Sequence, residues 1–332
     1  MKLLTVTVPC YNSQDYMETC IDSLLTGGDR VEIIIIDDGS KDRTGAIADA
    51  YAEKYPGIVR VIHQENGGHG EGINQGLRHA TGKYFKVVDS DDCVSGDFPA
   101  FLDRLAQSGA DLFVTNYYYT HTDGVGDRSI HYKNALPVGR LLTWQDTRPF
   151  RMHQLLTLHS CTFRTELMRK WGEELPRHVF YEDNLMVCQT LPFVQTLYYM
   201  DRDLYRYTIG RAGQSVQSDI CMRRYQHQLL VAERCFSCCR LDDIQAPMLQ
   251  KYMKHELFMM FGIGILFTRL NRSAEADGNL EKMWDACKEF DPKWGNYFRY
   301  RTVLRFVCIP GKFGQRFANF IYHLANKVVR FN

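Results

Sequence analysis

Short runs of branched apolar residues alternate with amphipathic stretches through the first hundred residues of the chain. Leu3–Val8, Val31–Ile36, Val59–His63 and Tyr84–Val88 predict β-strands, and the stretches between them have helical spacing. Val31–Ile36 is apolar at almost every position, as in a central strand that is covered on both faces. This alternation predicts parallel βαβ units and therefore an α/β fold with helices flanking the sheet.

The pattern changes after residue 110, where strands become more widely spaced and helices then follow. Four later runs predict strands, of which the last two are expected to pair: Asp111–Tyr119, Ser160–Arg164, Val194–Met200 and Leu204–Thr208. From about Asp219 the periodicity is helical almost to the end. We therefore expect an α/β domain over residues 1–215 and a helical region over 216–332, a candidate for membrane association or oligomer formation.

Three features of the sequence bear on where the protein works. The N-terminus lacks the apolar core and cleavage site of a signal peptide. The longest apolar run, residues 257–267, is shorter than the ~20 residues that span a bilayer. The 11 cysteines are odd in number and irregularly spaced, which is typical of reduced thiols. We expect a cytoplasmic protein with no transmembrane segment and no nucleic acid among its partners.

Charge is unevenly distributed along the chain, although the net charge is only +1. Residues 1–120 contain 10 Lys and Arg against 18 Asp and Glu, a balance of −8, so the remainder carries +9. Residues 292–332 contain eight Lys and Arg and no acidic residue. An acidic first part is compatible with a metal-dependent site, and a basic end is compatible with an anionic surface.

The clearest chemical signal is an acidic stretch that directly follows the predicted strand Tyr84–Val88. Asp89, Asp91 and Asp92 place three carboxylates within four residues, where each disfavours the ionisation of its neighbours. Such a cluster suits a divalent cation, since Mg²⁺ and Mn²⁺ take oxygen ligands and share them with substrate phosphates. The alternative is a polar turn that caps a helix beginning near Asp97.

Polar sequences also follow the first two predicted strands. Pro9–Asn12 ends the first strand, and Asp37–Ser40 follows the second. In open α/β sheets the carboxyl ends of parallel strands lie at one edge, and ligands bind there. The convergence of these two segments with Asp89–Asp92 favours a nucleotide and metal site over a capped turn.

These motifs, in this order and spacing, resemble those of the family 2 glycosyltransferases, which have the Rossmann-like GT-A fold. The resemblance covers roughly residues 3–210 and rests on these segments: Thr7–Asn12, Glu32–Ser40, Glu65–Gly68, Gly72–Leu77, Gly82–Tyr84, Asp89–Asp92 and Glu182–Asp183. It implies an inverting enzyme that transfers a sugar from a nucleotide-diphosphate sugar to an acceptor hydroxyl. We accordingly expect a mostly parallel GT-A sheet flanked by helices, with a helical C-terminal region.

The resemblance implies that the nucleoside is bound at the ends of the first two strands. Tyr11, between Pro9 and Asn12, would stack on the base or the ribose, although an ordinary capped turn is the alternative. Asp38 would accept a hydrogen bond from the ring N–H of the base. Uracil has such a donor, which suits a UDP-sugar, but guanine and thymine have one as well. Asp37 is the alternative partner of the base.

A glycine-rich loop precedes the third helix. Asn66 and Gly68 lie just before the helix N-terminus, a suitable place for an anion, and Asn74 matches an asparagine that the family uses. Relatives often carry a small residue and an arginine before that asparagine, whereas Gly72 and Ile73 stand here. Other cations must then contact the diphosphate, and the candidates are Arg78, Lys83 and Lys86. For at least two of these the alternative is a solvated surface position.

In the acidic stretch, the resemblance implies that Asp89 contacts the ribose or the metal, with Ser90 beside it in the donor site. Asp91 would bind the Mn²⁺ or Mg²⁺ ion that bridges the diphosphate. The ion would neutralise charge that builds on the departing nucleotide. Asp92 is expected to support the metal ligands or to cap a helix.

Glu182 and Asp183 match the catalytic-base motif of the family. An inverting transfer needs a carboxylate opposite the leaving group to accept the proton of the acceptor hydroxyl. We assign this role to Asp183, with Glu182 as a supporting acceptor. The alternatives are the reverse assignment and an acidic turn that complements a helix dipole. Farther along, Arg206 or Arg211 would bind diphosphate oxygens from a flexible segment that closes over the donor.

The C-terminal stretch combines an apolar stripe with a basic edge. The stripe comprises Phe317, Phe320, Ile321, Leu324, Val328 and Phe331, and its border comprises Arg316, His323, Lys327 and Arg330. Residues 312–331 therefore suit an anionic lipid surface, which predicts peripheral binding at the inner face of the cell membrane. Packing against the protein itself is the alternative.

The sequence as a whole predicts a metal-dependent, hexosyltransferase-type enzyme of cell-surface polysaccharide synthesis. Its donor would be a UDP-sugar and its acceptor a glycan or a lipid-linked molecule. A sugar-phosphate nucleotidylyltransferase is a second candidate, but Pro9–Asn12 lacks the long glycine- and arginine-bearing loop of those enzymes. An inactive relative that serves in assembly is a third, against which the intact Asp89, Asp91 and Asp183 argue.

Overall fold

The computed structural model describes residues 2–122, 124, 126–210, 214 and 217–329, with side chains described up to residue 324. The chain divides into two compact units, Met1–Ile209 and Gly210–Asn332. The first unit contains the sheet, and the described part of the second is helical.

The first four strands form the parallel half of the sheet. They are β1 (Leu4–Cys10), β2 (Val31–Asp37), β3 (Val59–His63) and β4 (Tyr84–Val87), in the order β3-β2-β1-β4. The connecting helices are α1 (Met17–Leu25), α2 (Thr44–Lys54) and α3 (His69–His79). Every residue of β1 and β2 is buried, as expected of strands covered on both faces. The predicted alternation is confirmed, and the carboxyl ends of β1, β2 and β4 share one edge.

The remaining elements of this unit add short antiparallel pairs, so the sheet is mixed. The strands are β5 (Cys93–Val94), β6 (Leu112–His121), β7 (Arg128–Ile130), β8 (Leu141–Thr143), β9 (Cys161–Arg164) and β10 (Thr196–Ile209). The helices are α4 (Phe98–Ser108), α5 (Thr165–Trp171) and α6 (Asp183–Thr190). β9 lies between β4 and β6 and is antiparallel to both. Short strands rather than a long crossover helix lead to β9, so a parallel direction is not imposed on it.

The predicted pair of strands at 194–200 and 204–208 is wrong, because β10 is a single long strand. It runs parallel to β6 on both sides of a bulge between Met200 and Tyr205. Asp201 at the bulge accepts hydrogen bonds from Asn116 Nδ2 (2.8 Å) and from the hydroxyl of Tyr199 (2.9 Å). The residues between the two predicted strands therefore form a bulge that the neighbouring strand supports.

The second unit is built from seven α-helices in its described part. They are α7 (Ser218–Arg223), α8 (Tyr225–Ser237), α9 (Pro247–Asn271), α10 (Ala274–Phe290), α11 (Pro292–Asn296), α12 (Leu304–Val307) and α13 (Gly311–Val329). The buried Arg269 of α9 donates to the carbonyls of Val307 and Cys308 and pairs with Asp277. The apolar run at 257–267 lies within α9, and no described helix is long and apolar enough to cross a bilayer.

Helix α13 has one face packed within its own unit and another face exposed. Ala318 is buried, and the hydroxyl of Tyr322 donates to Ser218 Oγ at 2.7 Å. Phe313, Phe320 and Leu324 are exposed, by 63%, 61% and 51% respectively. Packing on the protein, one of the two alternatives for this stretch, therefore occurs on one face of α13, and lipid binding by the exposed face stays a prediction.

Candidate active site

Hydrogen bonds between polar loops join the carboxyl ends of β1, β2 and β4. Asn12, in the left-handed conformation (φ 51°), donates its backbone N–H to Ser40 Oγ at 3.0 Å. The hydroxyl oxygens of Ser13 and Ser90 lie 2.9 Å apart. Tyr11 is half exposed at this edge. The three predicted segments therefore meet, and they leave an aromatic ring accessible to a ligand.

His69, the first residue of α3, links Asp89 to the predicted base motif. Its ring nitrogens lie 2.8 Å from Asp89 Oδ1 and 2.7 Å from Glu182 Oε1. Burial disfavours the charged ring, but the two carboxylates outweigh burial and raise the pKa of His69 well above its ordinary value. Burial likewise opposes ionisation of Asp89, yet His69 holds the pKa of that carboxyl below its ordinary value. A cationic ring thus lies between two carboxylates that are distant in sequence.

A second group of side chains around Asp89 offers ligands for a cation. Ligand atoms of Asp89, Asp92 and His159 all lie within 4.8 Å of one another. Asp92 also accepts hydrogen bonds from the Tyr205 hydroxyl and the Thr208 backbone N–H, both at 2.7 Å. The buried His159 Nδ1 has no hydrogen-bond partner among the described residues. Two carboxylates and an imidazole are a donor set that Mn²⁺ accepts, so these residues fit a divalent cation.

This group differs in part from the predicted metal ligands. Asp91 is half-buried and is not one of the three clustered residues in the described part of the chain, so its role as a ligand stays a prediction. Burial and the charge of Asp89 raise the pKa of Asp92 well above its ordinary value. Burial also lowers the pKa of His159 to about 4. A bound cation favours the deprotonated forms of both ligands.

His159 is enclosed by tyrosines and lies beside a buried lysine. Its ring stacks on Tyr207 with centroids 4.2 Å apart and meets Tyr205 edge-on at 4.8 Å. Lys86 is buried, donates to the carbonyls of His159 and Cys161 at 2.9 and 3.1 Å, and has its pKa lowered to about 8 by burial. Lys86 therefore holds the start of β9 against β4. It is neither a solvated cation nor placed to reach a diphosphate at the surface.

The predicted base, Asp183, is half-buried at the first position of α6. Burial and the adjacent charge of Glu182 raise the pKa of Asp183 to about 7. Glu182 itself is buried and bonded to His69, which leaves Asp183 as the more accessible carboxylate of the pair. His178 and Tyr181 in the preceding loop have positive φ values of 54° and 69°, a strained conformation for residues with a side chain. A carboxyl group that ionises near pH 7 suits general base catalysis.

The donors of the glycine-rich loop contact a carboxylate of the protein itself. The backbone N–H groups of Gly67 and Gly68 donate to the two carboxylate oxygens of Asp38 at 2.7 and 2.9 Å. Gln64 donates to the same carboxylate at 2.6 Å, and Asn66 Nδ2 donates to the Asp38 carbonyl at 2.9 Å. Asp38 is only 3% exposed. Donor binding by Asp38, Asn66 and Gly68 stays a prediction, and their described contacts fix the loop.

Three further residues were predicted to contact the nucleotide-sugar donor. Asn74 is buried and bonds to both the backbone N–H and the carbonyl of Leu175. Arg78 pairs with Glu71 at 3.1 Å. Arg211 lies outside the described residues.

Sequence reasoning missed His69, His159 and Tyr205 as parts of the site. His69 stands between glycines at a helix start, which was a usable signal. The positions of the other two depend on where β9 and β10 pair within the sheet. Tyr205 to Tyr207 belong to β10, as the predicted strand Leu204–Thr208 has it, whereas the family resemblance placed Arg206 in a flexible segment.

Comparison with known proteins agrees with this architecture. The family model described as glycosyl transferase family 2 matches residues 5–169. EpsJ of Bacillus subtilis (strain 168), an uncharacterized glycosyltransferase, is 34% identical over 196 residues, which cover 58% of this chain and 53% of EpsJ. The chain therefore spans about half the length of the curated relatives it matches.

Solved glycosyltransferases share the fold. TarS 1-349 of S. aureus, in complex with UDP-GlcNAc, aligns with a TM-score of 0.68 at 18% identity, covering 98% of this chain and 92% of that one. The mannosyltransferase PcManGT from Pyrobaculum calidifontis, in complex with GDP-Man and Mn²⁺, aligns at 0.53 with 16% identity, covering 98% and 87%. At these identities the similarity concerns the fold alone. Together with the family match, it shows that the chain belongs to glycosyltransferase family 2 and has the GT-A fold.

Proposed function

We propose that the protein is an inverting glycosyltransferase of cell-surface polysaccharide synthesis. It moves a sugar from a nucleotide-diphosphate sugar to a hydroxyl group of a glycan or a lipid-linked acceptor. The observation that carries the proposal is the position of His69, whose ring nitrogens lie 2.8 Å from Asp89 and 2.7 Å from Glu182, the residue next to Asp183. The proposed base Asp183 and the proposed site of the departing diphosphate at Asp89 are therefore close to each other, as a direct displacement requires.

Asp183 accepts the proton of the acceptor hydroxyl while that oxygen bonds to the anomeric carbon. The bond from the anomeric carbon to the diphosphate breaks on the opposite face, so the configuration inverts. Glu182 contributes a negative charge beside Asp183 that increases its basicity. Residues 1–215 would supply donor binding and catalysis, and residues 216–332 would supply the accessory region.

Asp89, Asp92 and His159 would hold Mn²⁺ or Mg²⁺, with Asp91 as the further ligand that the family resemblance implies. When bound, the cation supplies Lewis-acid stabilisation of the departing diphosphate. Imidazole among the ligands favours Mn²⁺ over Mg²⁺, which prefers oxygen ligands and water. The Mn²⁺ in the PcManGT complex is consistent with that choice.

The proposed donor is a UDP-sugar. The exposed ring of Tyr11 is available to stack on a base. Pro9 and Asn12 lie next to it in the same segment, and Ser90 is joined to that segment through Ser13. The UDP-GlcNAc complex of TarS supports uracil as the base of the donor. The GDP-Man complex of PcManGT makes guanine the alternative base.

A thermal-shift screen of UDP-GlcNAc, UDP-glucose and GDP-mannose, each with and without MnCl₂, tests the proposed donor. A ligand at a hundred times its Kd stabilises a protein by about 2.7 kcal/mol, so we expect the UDP-sugar with Mn²⁺ to raise Tm by roughly 5–10 °C. Asp89→Asn should abolish the part of the Tm increase that depends on Mn²⁺, whereas Asp183→Asn should retain that part. If none of the nucleotide sugars changes Tm, that result would contradict the proposed enzymatic function and favour an inactive assembly partner.

We also propose that the protein works as a peripheral protein at the cytoplasmic face of the cell membrane. Exposed Phe313, Phe320 and Leu324 on α13 provide apolar contacts for lipid. The eight Lys and Arg of residues 292–332 suit anionic headgroups. Binding there would bring the enzyme to a lipid-linked acceptor.

A further inference from the structure

Residues 172–182 connect α5 to α6 and end at Glu182, directly before the proposed base Asp183. We call this segment the base-bearing loop because it leads into that residue. Helix α3 and its preceding turn hold this loop. Asn74 Oδ1 accepts a hydrogen bond from the N–H of Leu175, and Asn74 Nδ2 donates to the carbonyl of Leu175, both at 2.9 Å. The N–H of His178 donates to the carbonyl of Gly67 at 3.0 Å. The loop backbone is therefore bonded to α3 at one point and to the glycine-rich turn at another.

Charged side chains of α3 extend this attachment to the base motif. Glu71, which is only 3% exposed, pairs with Arg177 at 3.2 Å. His69 Nδ1 lies 2.7 Å from the buried Glu182, the residue next to the base Asp183. The contacts therefore run along α3 from its middle to its first residue and reach the base motif there.

The side-chain amide of Asn74 is already occupied by these contacts. Its Nδ2 has two hydrogens, which are directed at the Leu175 carbonyl and at Glu71 Oε2 (3.1 Å). The residue is 6% exposed. Because no amide hydrogen is left for a donor phosphate or sugar, the described geometry gives Asn74 a partner in the base-bearing loop.

Helix α3 is itself fixed closely to strand β1. A Cβ atom added at Gly76 would lie 2.0 Å from Thr7 Oγ1, and one at Gly72 would lie 3.0 Å from Pro9 Cβ. β1 also pairs directly with β4, the strand that leads into Asp89. The acidic stretch and the base-bearing loop are thus connected through one rigid helix.

We propose that Asn74 and His69 are positioning residues that set Asp183 relative to the departing diphosphate by holding the base-bearing loop on α3. This inference rests on the proposed function, and it gives Asn74 a different role from the donor contact that the family resemblance implies. A base displaced by ~1 Å loses roughly a hundredfold in rate, so such a connection has a measurable effect on turnover.

Hydrogen exchange of the full-length, donor-free protein tests the connection without any activity. In Asn74→Ala we expect exchange in peptides covering residues 174–184 to become at least about tenfold faster, because local opening becomes easier. His69→Ala should accelerate exchange at residues 181–184, and His69→Gln, whose amide has two N–H donors, should restore much of the protection. His79→Ala, at the exposed C-terminal end of the same helix, is the matched control and should leave these peptides unchanged.

Steady-state turnover of UDP-GlcNAc with Mn²⁺ tests the consequence for catalysis. Asn74→Ala should lower kcat by roughly 10–100-fold while the KM for the donor changes by less than about threefold. If Asn74→Ala does not fold, Arg177→Ala removes the partner of Glu71 that lies in the loop, leaves the Arg78 pair intact, and should still accelerate exchange at 174–178.

The outcomes separate this inference from the proposed function. Unchanged exchange at 174–184 in the variants would overturn the connection, whatever the activity. A raised donor KM with normal kcat in Asn74→Ala would overturn it too, since Asn74 would then contact the donor. If the wild type turns over no nucleotide sugar, the proposed function fails, and the exchange result still decides whether α3 holds the loop.

Discussion

Glu182 and Asp183 are adjacent carboxylates whose surroundings differ. Glu182 is buried and paired with His69, which compensates its charge. Asp183 lies half-buried beside that charge, and its pKa is raised to about 7. Two neighbouring acids whose environments differ in this way commonly divide structural and proton-transfer roles.

The pH dependence of transfer follows from the raised pKa of Asp183. A general base must be ionised, so we expect kcat to be highest above pH 7 and to fall as the pH drops through about 7, where Asp183 becomes protonated. Asp183→Asn should lower kcat by roughly 10²–10⁴-fold at pH 8. The measurement is a pH–rate profile of donor turnover between pH 5 and 9.

Calorimetric titration with UDP and Mn²⁺ provides the control for this variant, since the leaving-group site should bind UDP as in the wild type. A variant that keeps turnover within a few fold of normal, or an unchanged pH profile, would show that the base is another residue.

Helix α3 is the element on which the site depends most, because it contacts both β1 and the base-bearing loop. Its glycines were expected to bring backbone N–H groups to an anion. In the structure, Gly67 and Gly68 donate to Asp38, while Gly72 and Gly76 allow the helix to approach β1 closely. The glycines were visible in the sequence, but their neighbours lie on β1, β2 and the loop before α6.

Substitution at Gly76 tests this close approach. An added methyl group would lie 2.0 Å from Thr7 Oγ1, so we expect Gly76→Ala to lower the free energy of unfolding by about 2–3 kcal/mol, the cost of overpacking a filled interior. Gly96→Ala is the matched change in the same unit, where no atom lies within 4 Å of the added group. It should be neutral or stabilising by up to about 1 kcal/mol.

Urea denaturation of both glycine variants measures the difference. Equal unfolding midpoints for Gly76→Ala and the wild type would mean that α3 shifts freely on β1. That result would remove the physical basis for a rigid connection between the acidic stretch and the base.

At the scale of the whole chain, acidic and basic charge are concentrated in different units. Residues 1–120 carry the excess of acidic groups, and residues 292–332 carry only basic ones. The exposed aromatic residues of α13 belong to the second unit. This distribution suits a protein whose first unit handles a metal–nucleotide complex and whose second unit contacts an anionic surface.

Vesicle cosedimentation tests the surface of α13. Burying two exposed phenylalanines contributes a few kcal/mol, so we expect Phe313→Asp with Phe320→Asp to weaken binding to phosphatidylglycerol vesicles by at least about tenfold. The control replaces Val138 and Leu141, which are 52% and 48% exposed in the first unit, with Asp. Binding that is equal for both double variants would contradict a membrane role of α13.

Much of the site could be inferred from local sequence because its residues follow strands at fixed spacing. Tyr11 and Asp89 follow predicted strands in this way, whereas Asp183 and the roles of all three residues came from the family resemblance. The alternation of strands and helices up to β4 followed from periodicity. Local patterns determine these features, since strand and helix periodicity depends on neighbouring residues.

Tertiary structure alone decided the contacts between segments that are far apart in the chain. It placed His69 between Asp89 and Glu182. It also brought Asp92 and His159 beside Asp89. The side-chain amide of Asn74 bonds to the carbonyl of Leu175. Tertiary structure also set the antiparallel direction of β9 and the continuity of β10. The physical reason is that hydrogen-bond partners and strand direction depend on where the backbone returns, which periodicity does not encode. The sequence by itself thus determined which carboxylates are present and, to within about two residues, where the first four strands end, whereas folding determined which groups those carboxylates meet.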